Sequence, residues 1–437
     1  MQMTIDEALA QGGTGRFQRR LLGIFGLVWA ADAMQVIAVG FSAASLAAHF
    51  GISVPQALQT GTLFFLGMFL GATGFGRLAD RIGRRNVLLL TVGLDAIFGL
   101  ASVFAHDFTA LLALRFLTGM AVGGTLPVDY ALMAEFLPPK NRGRWLVMLE
   151  GFWALGTIAI ALTAWAASRA GTPEAFRWIY FAAAIPALIG VGLRLWVPES
   201  PMFLLRRGRE AEARAVVGRV LATNEAPPLA PEVRLVLPRI EPVTGGLFSP
   251  ALRARTLSVL ALWFLVSLAY YGVFTWLPPR LAGEGFGFVR GYGFLVILAL
   301  AQLPGYALAA WGVEAWGRRP TLTAFLILSA IGCAGFALAP SPTVIAVSLL
   351  VMSFALLGTW GALYAFTPEI YPTALRASGM GTASAAARAA GLLAPSALVL
   401  VIAQGFGVAG GLFAALLLAA AVIAALMRIE TRGRALG

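Results

Sequence analysis

Apolar runs of about 20 residues recur along almost the whole chain, each long enough to cross the ~30 Å hydrocarbon core of a bilayer as a helix. They fall near 20–49, 56–79, 86–105, 109–136, 143–168, 175–197, 255–278, 289–313, 320–339, 342–366, 377–404 and 408–428. The runs are continuously apolar and do not alternate, a pattern that argues against a membrane β-barrel. The α-helix is then the structure that pairs every backbone N–H and C=O within lipid. Of the 437 residues, 59% are hydrophobic and 12% charged, about half the charged share of a soluble domain. The 50 glycines suit close helix contact in lipid. The pattern predicts an all-α membrane protein of about twelve transmembrane helices.

The net charge of +12 reads as a topology signal, because the basic residues occupy alternate loops. Arg16, Arg19 and Arg20 precede the first run; Arg77, Arg81, Arg84 and Arg85 separate the second from the third. Lys140, Arg142 and Arg144 follow the fourth, Arg206, Arg207, Arg209, Arg214 and Arg219 the sixth, and Arg318 and Arg319 the eighth. Arg376 follows the tenth and Arg428, Arg432 and Arg434 the twelfth. This is a positive-inside bias, with both termini expected in the cytoplasm of a multi-pass cell-membrane protein and no nucleic-acid partner. A cleavable leader is not expected, since the first run is too long. Cys333 is the only cysteine and no nucleophile–base pattern is visible, so no cofactor, metal or enzymatic activity is expected.

Two motifs recur at one offset. The segment GRLADRIGRR (Gly76 to Arg85) has a weaker echo in Glu314, Gly317, Arg318 and Arg319, with Asp80 and Glu314 separated by 234 residues. Glu135, Pro138 and Arg142 recur as Glu369, Pro372 and Arg376, again 234 residues on. A shared offset implies a duplicated membrane bundle, the way transporters build two halves around a central site. The expected organisation is a six-helix bundle over 1–198, a linker over 199–254, and a second six-helix bundle over 255–437. In the linker, Ala213, Val216, Val217, Val220 and Leu221 stand at helical spacing against polar residues, which predicts a short amphipathic helix on the cytoplasmic surface. The charged groups Asp80, Arg84, Arg85, Glu135, Arg142, Glu314, Arg318, Glu369 and Arg376 are expected to form clusters at the cytoplasmic helix ends, latching the halves together when the cavity faces outward.

The loop cassette, the PESP tetrapeptide (Pro198 to Pro201) and the two Glu-x-x-Pro-x-x-x-Arg elements together resemble the major facilitator superfamily, in its branch of sugar porters and organic-ion carriers. The resemblance covers essentially the whole chain and implies twelve helices in two pseudo-symmetric halves working by alternating access. More finely, GTGRFQ (Gly13 to Gln18), GGTLPV (Gly123 to Val128), EGFWALG (Glu150 to Gly156), YYGVFTWLP (Tyr270 to Pro278) and YAFTPEIYPTALRASG (Tyr364 to Gly379) are similar to bacterial nicotinate carriers. Gln35 and Thr125 stand where that pattern often has acids. The resemblance implies a monomeric carrier whose partners are a small organic anion, protons and the bilayer. A sugar, organic-cation or drug transporter and a non-transporting sensor are the alternatives on the same fold.

Charges within the spans cost ~3 kcal/mol each on insertion scales, so each needs a reason. Asp32 lies twelve residues past Arg20 and Arg115 eight past Asp107. At about 1.5 Å per residue the two come to similar depth, which predicts an Asp32–Arg115 pair that handles a coupled proton, with Asp95 as a substitute. Arg388 lies twelve residues past Arg376, ~18 Å into its span, with no acid nearby on its own helix. An unpaired guanidinium at that depth is expected to hold a substrate carboxylate. Gln302, Tyr270, Tyr271, Trp153, Trp360 and Tyr364 are expected to frame the substrate's ring.

Overall fold

The computed structural model describes residues 2–138, 142–237, 245–284, 291–339, 341–372, 375–397, 401, 404–429 and 431. The side chains of Asp80 and Arg376 lie outside the described residues. Six long helices come first: α2 (Arg16–Phe50), α4 (Gln59–Ile82), α5 (Arg84–Ala101), α6 (Phe108–Glu135), α7 (Arg142–Arg169) and α8 (Ala175–Arg194). The short α1 (Ile5–Gly12) and α3 (Val54–Ala57) precede α2 and α4, and α9 (Pro201–Arg206) and α10 (Glu210–Thr223) follow α8. The second set is α11 (Arg253–Glu284), α12 (Tyr292–Leu300) with α13 (Gln302–Ala315), α14 (Arg318–Ala337), α15 (Pro342–Glu369), α16 (Arg376–Ala397) and α17 (Phe406–Leu426). Among the described residues, 11 helices are long and apolar enough to cross a membrane. The remaining long helix is α16, whose 22 residues are rich in Ala, Gly and Ser and carry Arg388. The span α12–α13 is interrupted beside Pro304, which has no N–H to offer the carbonyl four residues back. That break sits directly before Gln302.

The duplication is visible atom by atom. Gly83 and Gly317, 234 residues apart, turn α4 into α5 and α13 into α14 with φ of 101° and 109°, a region that suits only glycine. A Cβ on Gly71 would lie 2.0 Å from the Met120 carbonyl oxygen, and one on Gly305 2.1 Å from that of Phe354. Both members of that contact shift by 234, so α4 meets α6 as α13 meets α15. Backbone this close leaves no room for a methyl group. Gly305→Ala is expected to cost about 1–3 kcal/mol or more, read as a lower unfolding temperature of detergent-purified protein.

Within the first set, α2 packs on α7 and α8, and α5 on α6 and α8. Within the second, α11 packs on α16 and α17, and α14 on α15 and α17. The sets meet through α2 with α11, α4 with α16, and α7 with α12, α13 and α15.

The linker helix α10 forms as expected, with Ala213, Val217, Val220 and Leu221 buried. Its apolar face is covered by protein, since α1 and α9 pack on it. The N-terminal strand β1 (Gln2–Thr4) pairs in parallel with β2 (Arg234–Val236), a two-stranded sheet that no alternation in the sequence announced. Asn224 ties this cap to α2: its amide donates to the Gln18 side chain at 2.8 Å and its oxygen accepts from the Phe17 N–H at 2.9 Å. Thr4 caps α1 through its hydroxyl, and the Thr4 N–H and hydroxyl in return hold the Glu7 carboxyl below its ordinary pKa.

Candidate functional site

The faces of the two bundles that meet at the centre are aromatic. On the first side stand Trp29, Tyr130 and Trp153; on the second, Trp263, Tyr270, Tyr271, Trp360 and Tyr364. Two of these pairs repeat the 234-residue offset: Trp29 with Trp263, and Tyr130 with Tyr364. The repeated tyrosines lie against each other across the interface with ring centroids 5.7 Å apart. Trp29 meets Tyr364 edge-on at 6.4 Å and Trp263 meets it at 4.8 Å. Tyr130 and Tyr364 stand about 7.5 Å in from the basic ends of α6 and α15 and keep partial exposure. They form the floor of the aromatic box on that side. Above them the Trp153 indole donates to the Tyr270 hydroxyl at 2.7 Å, joining α7 to α11. Toward the far end the box is closed by Tyr271 against Phe65 (4.6 Å) and by the Tyr292 hydroxyl donating to the Phe41 carbonyl at 3.3 Å.

Polar atoms without partners face this box. Arg388 is 4% exposed, and its Nε has no hydrogen-bond partner. The Tyr271 hydroxyl interacts with its side chain. Glu150 and Asp32 act on it electrostatically, but neither forms an ion pair with it among the described residues. Both Asp32 oxygens, one Glu150 oxygen and the indole nitrogens of Trp29 and Trp360 are likewise buried without a partner. Gln302 donates to Ser353 at 3.5 Å while its own oxygen stays unpaired. Unpaired buried polar groups are costly unless something else fills the site.

The expected Asp32–Arg115 pair does not form. Arg115 donates to the Gln35 side chain at 2.6 Å and to the Gln35 carbonyl at 2.8 Å, and is packed over the rings of Phe64 and Tyr180. Depth was matched along the axis, but three residues turn a helix by about 300°. The residue that faces α6 is Gln35, and Asp32 looks elsewhere. Asp95 lies beside Gln35 and Arg115. The buried ion pair of this bundle is Asp129 with Arg194, joining α6 to α8, which sequence reasoning passed over.

The clusters at the basic end are also organised differently from expectation. Arg84 pairs with Glu135, which also accepts from the Ser200 hydroxyl. Glu199 accepts from the backbone N–H groups of Arg84 and Arg85 at 3.1 and 3.2 Å, capping α5 with a carboxylate where the helix dipole favours one. The PESP element thus serves as the lock on the loop cassette. Arg85 itself donates to the Val197 carbonyl at 2.8 Å. In the second set Arg318 reaches both Glu369 (3.0 Å) and Glu314 (3.1 Å), and Thr431 takes the place that Ser200 has in the first. Arg142 pairs with Asp6 on α1 at 2.8 Å and not with Glu135. Every described ion pair of these clusters joins elements of one half. Each of these described pairs braces its own bundle.

Comparison with known proteins follows the same outline. The chain matches the profile of the Major Facilitator Superfamily over residues 23–395. It is 36% identical over 427 residues to the niacin transporter NiaP of Acinetobacter baylyi, covering 97% of this chain and 96% of that protein. It is 34% identical over 419 residues to the putative niacin/nicotinamide transporter NiaP of Bacillus subtilis, covering 95% and 97%. Among solved structures, the xylose transporter XylE of E. coli superposes with a TM-score of 0.77 over 96% of this chain and 99% of that one, at 18% identity, a likeness of fold.

Proposed function

We propose, from the premise that the chain belongs to the Major Facilitator Superfamily and is therefore a multi-pass membrane transporter and not an enzyme, that its cargo is a small aromatic or heteroaromatic carboxylate such as nicotinate. The observation that carries this reading is Arg388, a buried guanidinium with no ion-pair partner among the described residues, set in an aromatic box built by both halves. A carboxylate offers that guanidinium two parallel hydrogen bonds, and Trp153, Tyr270, Trp360 and Tyr364 offer aromatic faces and edges to a flat ring. Gln302, at the break in its span, supplies an amide to the ring's edge. The names of the bacterial relatives agree with this cargo.

Residues 1–198 and 255–437 act as two rocking bodies joined by 199–254, each braced by its own ionic cluster. The basic end faces the cytoplasm, with both termini on that side of the cell membrane. Asp32 takes the coupled proton, with Asp95 behind it; Arg115, held by Gln35, positions α2 against α6 and does not pair with the proton site. The carrier works as a monomer and imports its cargo.

One proton with one monoanion moves no net charge, so accumulation follows the pH gradient, about tenfold per unit, and not the membrane potential. In proteoliposomes loaded at higher internal pH, wild-type protein is expected to concentrate radiolabelled nicotinate. Asp32→Asn is expected to lose that concentration, with the internal-to-external ratio falling to about one, while retaining exchange of label for unlabelled nicotinate. Accumulation that answers to voltage and ignores the pH gradient would overturn the scheme.

A further inference from the structure

Glu150 is the charged group that the carrier reading leaves without a task. It lies on α7, 2% exposed, one turn before Trp153 and so on the face that lines the box. One of its carboxylate oxygens is buried without a hydrogen-bond partner. Its charge acts on tyrosines of four other helices: Tyr130 of α6, Tyr271 of α11, Tyr306 of α13 and Tyr364 of α15. The charged group acting on it is Arg388 of α16, with which it makes no ion pair. Asp32 of α2 answers instead to Asp95, Asp129, Arg194 and Arg388.

A cation and an anion thus stand buried among one set of aromatic side chains without forming an ion pair. A plain aromatic anion satisfies only the first and leaves a buried carboxyl group unpaired, at a cost of the kind buried polar groups impose. The complementary solute is dipolar, with a carboxylate at one end of a flat ring and a basic nitrogen in that ring.

We propose that Glu150 is the specificity-determining residue of the site, sharing one proton between its carboxyl group and the ring nitrogen of an N-heteroaromatic carboxylate whose carboxylate is held by Arg388. This rests on the cargo reading above and narrows it. The ring nitrogen accepts a hydrogen bond from the protonated carboxyl group, or as the protonated ring donates one to the carboxylate. In both cases a carbon at the same ring position has nothing to offer.

Pyridine-3-carboxylate and benzoate have nearly the same shape and differ by that one atom, so their affinities, measured by calorimetry on purified full-length protein, form the test. Wild-type protein is expected to prefer the pyridine compound by about tenfold or more. Glu150→Ala is expected to bring the two affinities within about threefold by weakening the pyridine compound alone. Glu150→Gln, whose amide still donates to a ring nitrogen, is expected to keep most of the preference. The proposal is overturned by a wild-type protein that binds both equally, by Glu150→Ala keeping the preference, or by Glu150→Ala weakening both equally. Arg388→Ala separates the two readings. If it leaves both affinities intact, the cargo assignment falls; if it abolishes both while Glu150→Ala keeps the preference, only the role of Glu150 falls.

Discussion

Arg388→Ala is expected to weaken binding of aromatic carboxylates by at least about 100-fold, the effect of removing a charge-assisted, two-pronged contact in a site closed to water. The guanidinium is buried on α16, which packs on α11, α4 and α15, with Tyr271 beside it and no ion-pair partner among the described residues. An alanine there also removes the cation that acts on both Glu150 and Asp32. Arg388→Lys is expected to recover only part of the loss, because an ammonium group cannot match both carboxylate oxygens in one plane. Thermal stabilisation of the purified variants by nicotinate, set against sugars and amines, reads this out. Stabilisation by nicotinate that survives the alanine substitution would remove the basis for an anionic cargo. Folded protein is expected in each case, since the side chain braces no other helix through an ion pair.

The second large effect concerns stability. Asp129 and Arg194 are the most deeply buried ion pair described, with side-chain exposures of 0% and 2%. Arg194 is also packed over the Phe25 ring at 4.7 Å, so the pair ties α6 and α8 to α2. Asp129→Ala leaves a guanidinium buried with no counter-charge and is expected to destabilise the protein by about 3–5 kcal/mol. The double replacement Asp129→Leu with Arg194→Met removes both charges together and is expected to restore most of that loss, because neither desolvated ion remains. Unfolding of the single and double variants in one detergent measures the difference. A double variant no more stable than the single would show that the pair is held for something other than charge balance.

Much of the site was legible before the fold, and the illegible part has a pattern. Trp153, Tyr270, Tyr271, Trp360 and Tyr364 were expected to frame one site, and their rings do stand together, with Tyr271 beside the Arg388 side chain. Trp29, Tyr130, Trp263 and Glu150 were missed as members of it. The signal for three of them was present: Trp29 and Trp263, like Tyr130 and Tyr364, obey the same 234-residue offset as the loop motifs. Aromatic residues repeated at a duplication offset mark an axis-facing position more firmly than depth does. Glu150 carried no such mark, because its counterpart at that offset is Ser384. Arg142 was expected in one cluster with Glu135 and pairs with Asp6 instead, because the short α1, which no spacing announced, brings a carboxylate to it.

What the amino-acid order determined alone was the set of long helices and the offset at which their motifs repeat. These are one-dimensional properties: hydrophobic length and repeat offset. What the tertiary structure alone decided was which groups meet. Gln35 and not Asp32 receives Arg115, Asp129 finds Arg194, and Glu150 faces Arg388 without touching it. Those outcomes depend on the rotation of each helix about its own axis and on the neighbour it packs against, and a rotation of one residue, about 100°, exchanges one face for another while leaving depth almost unchanged.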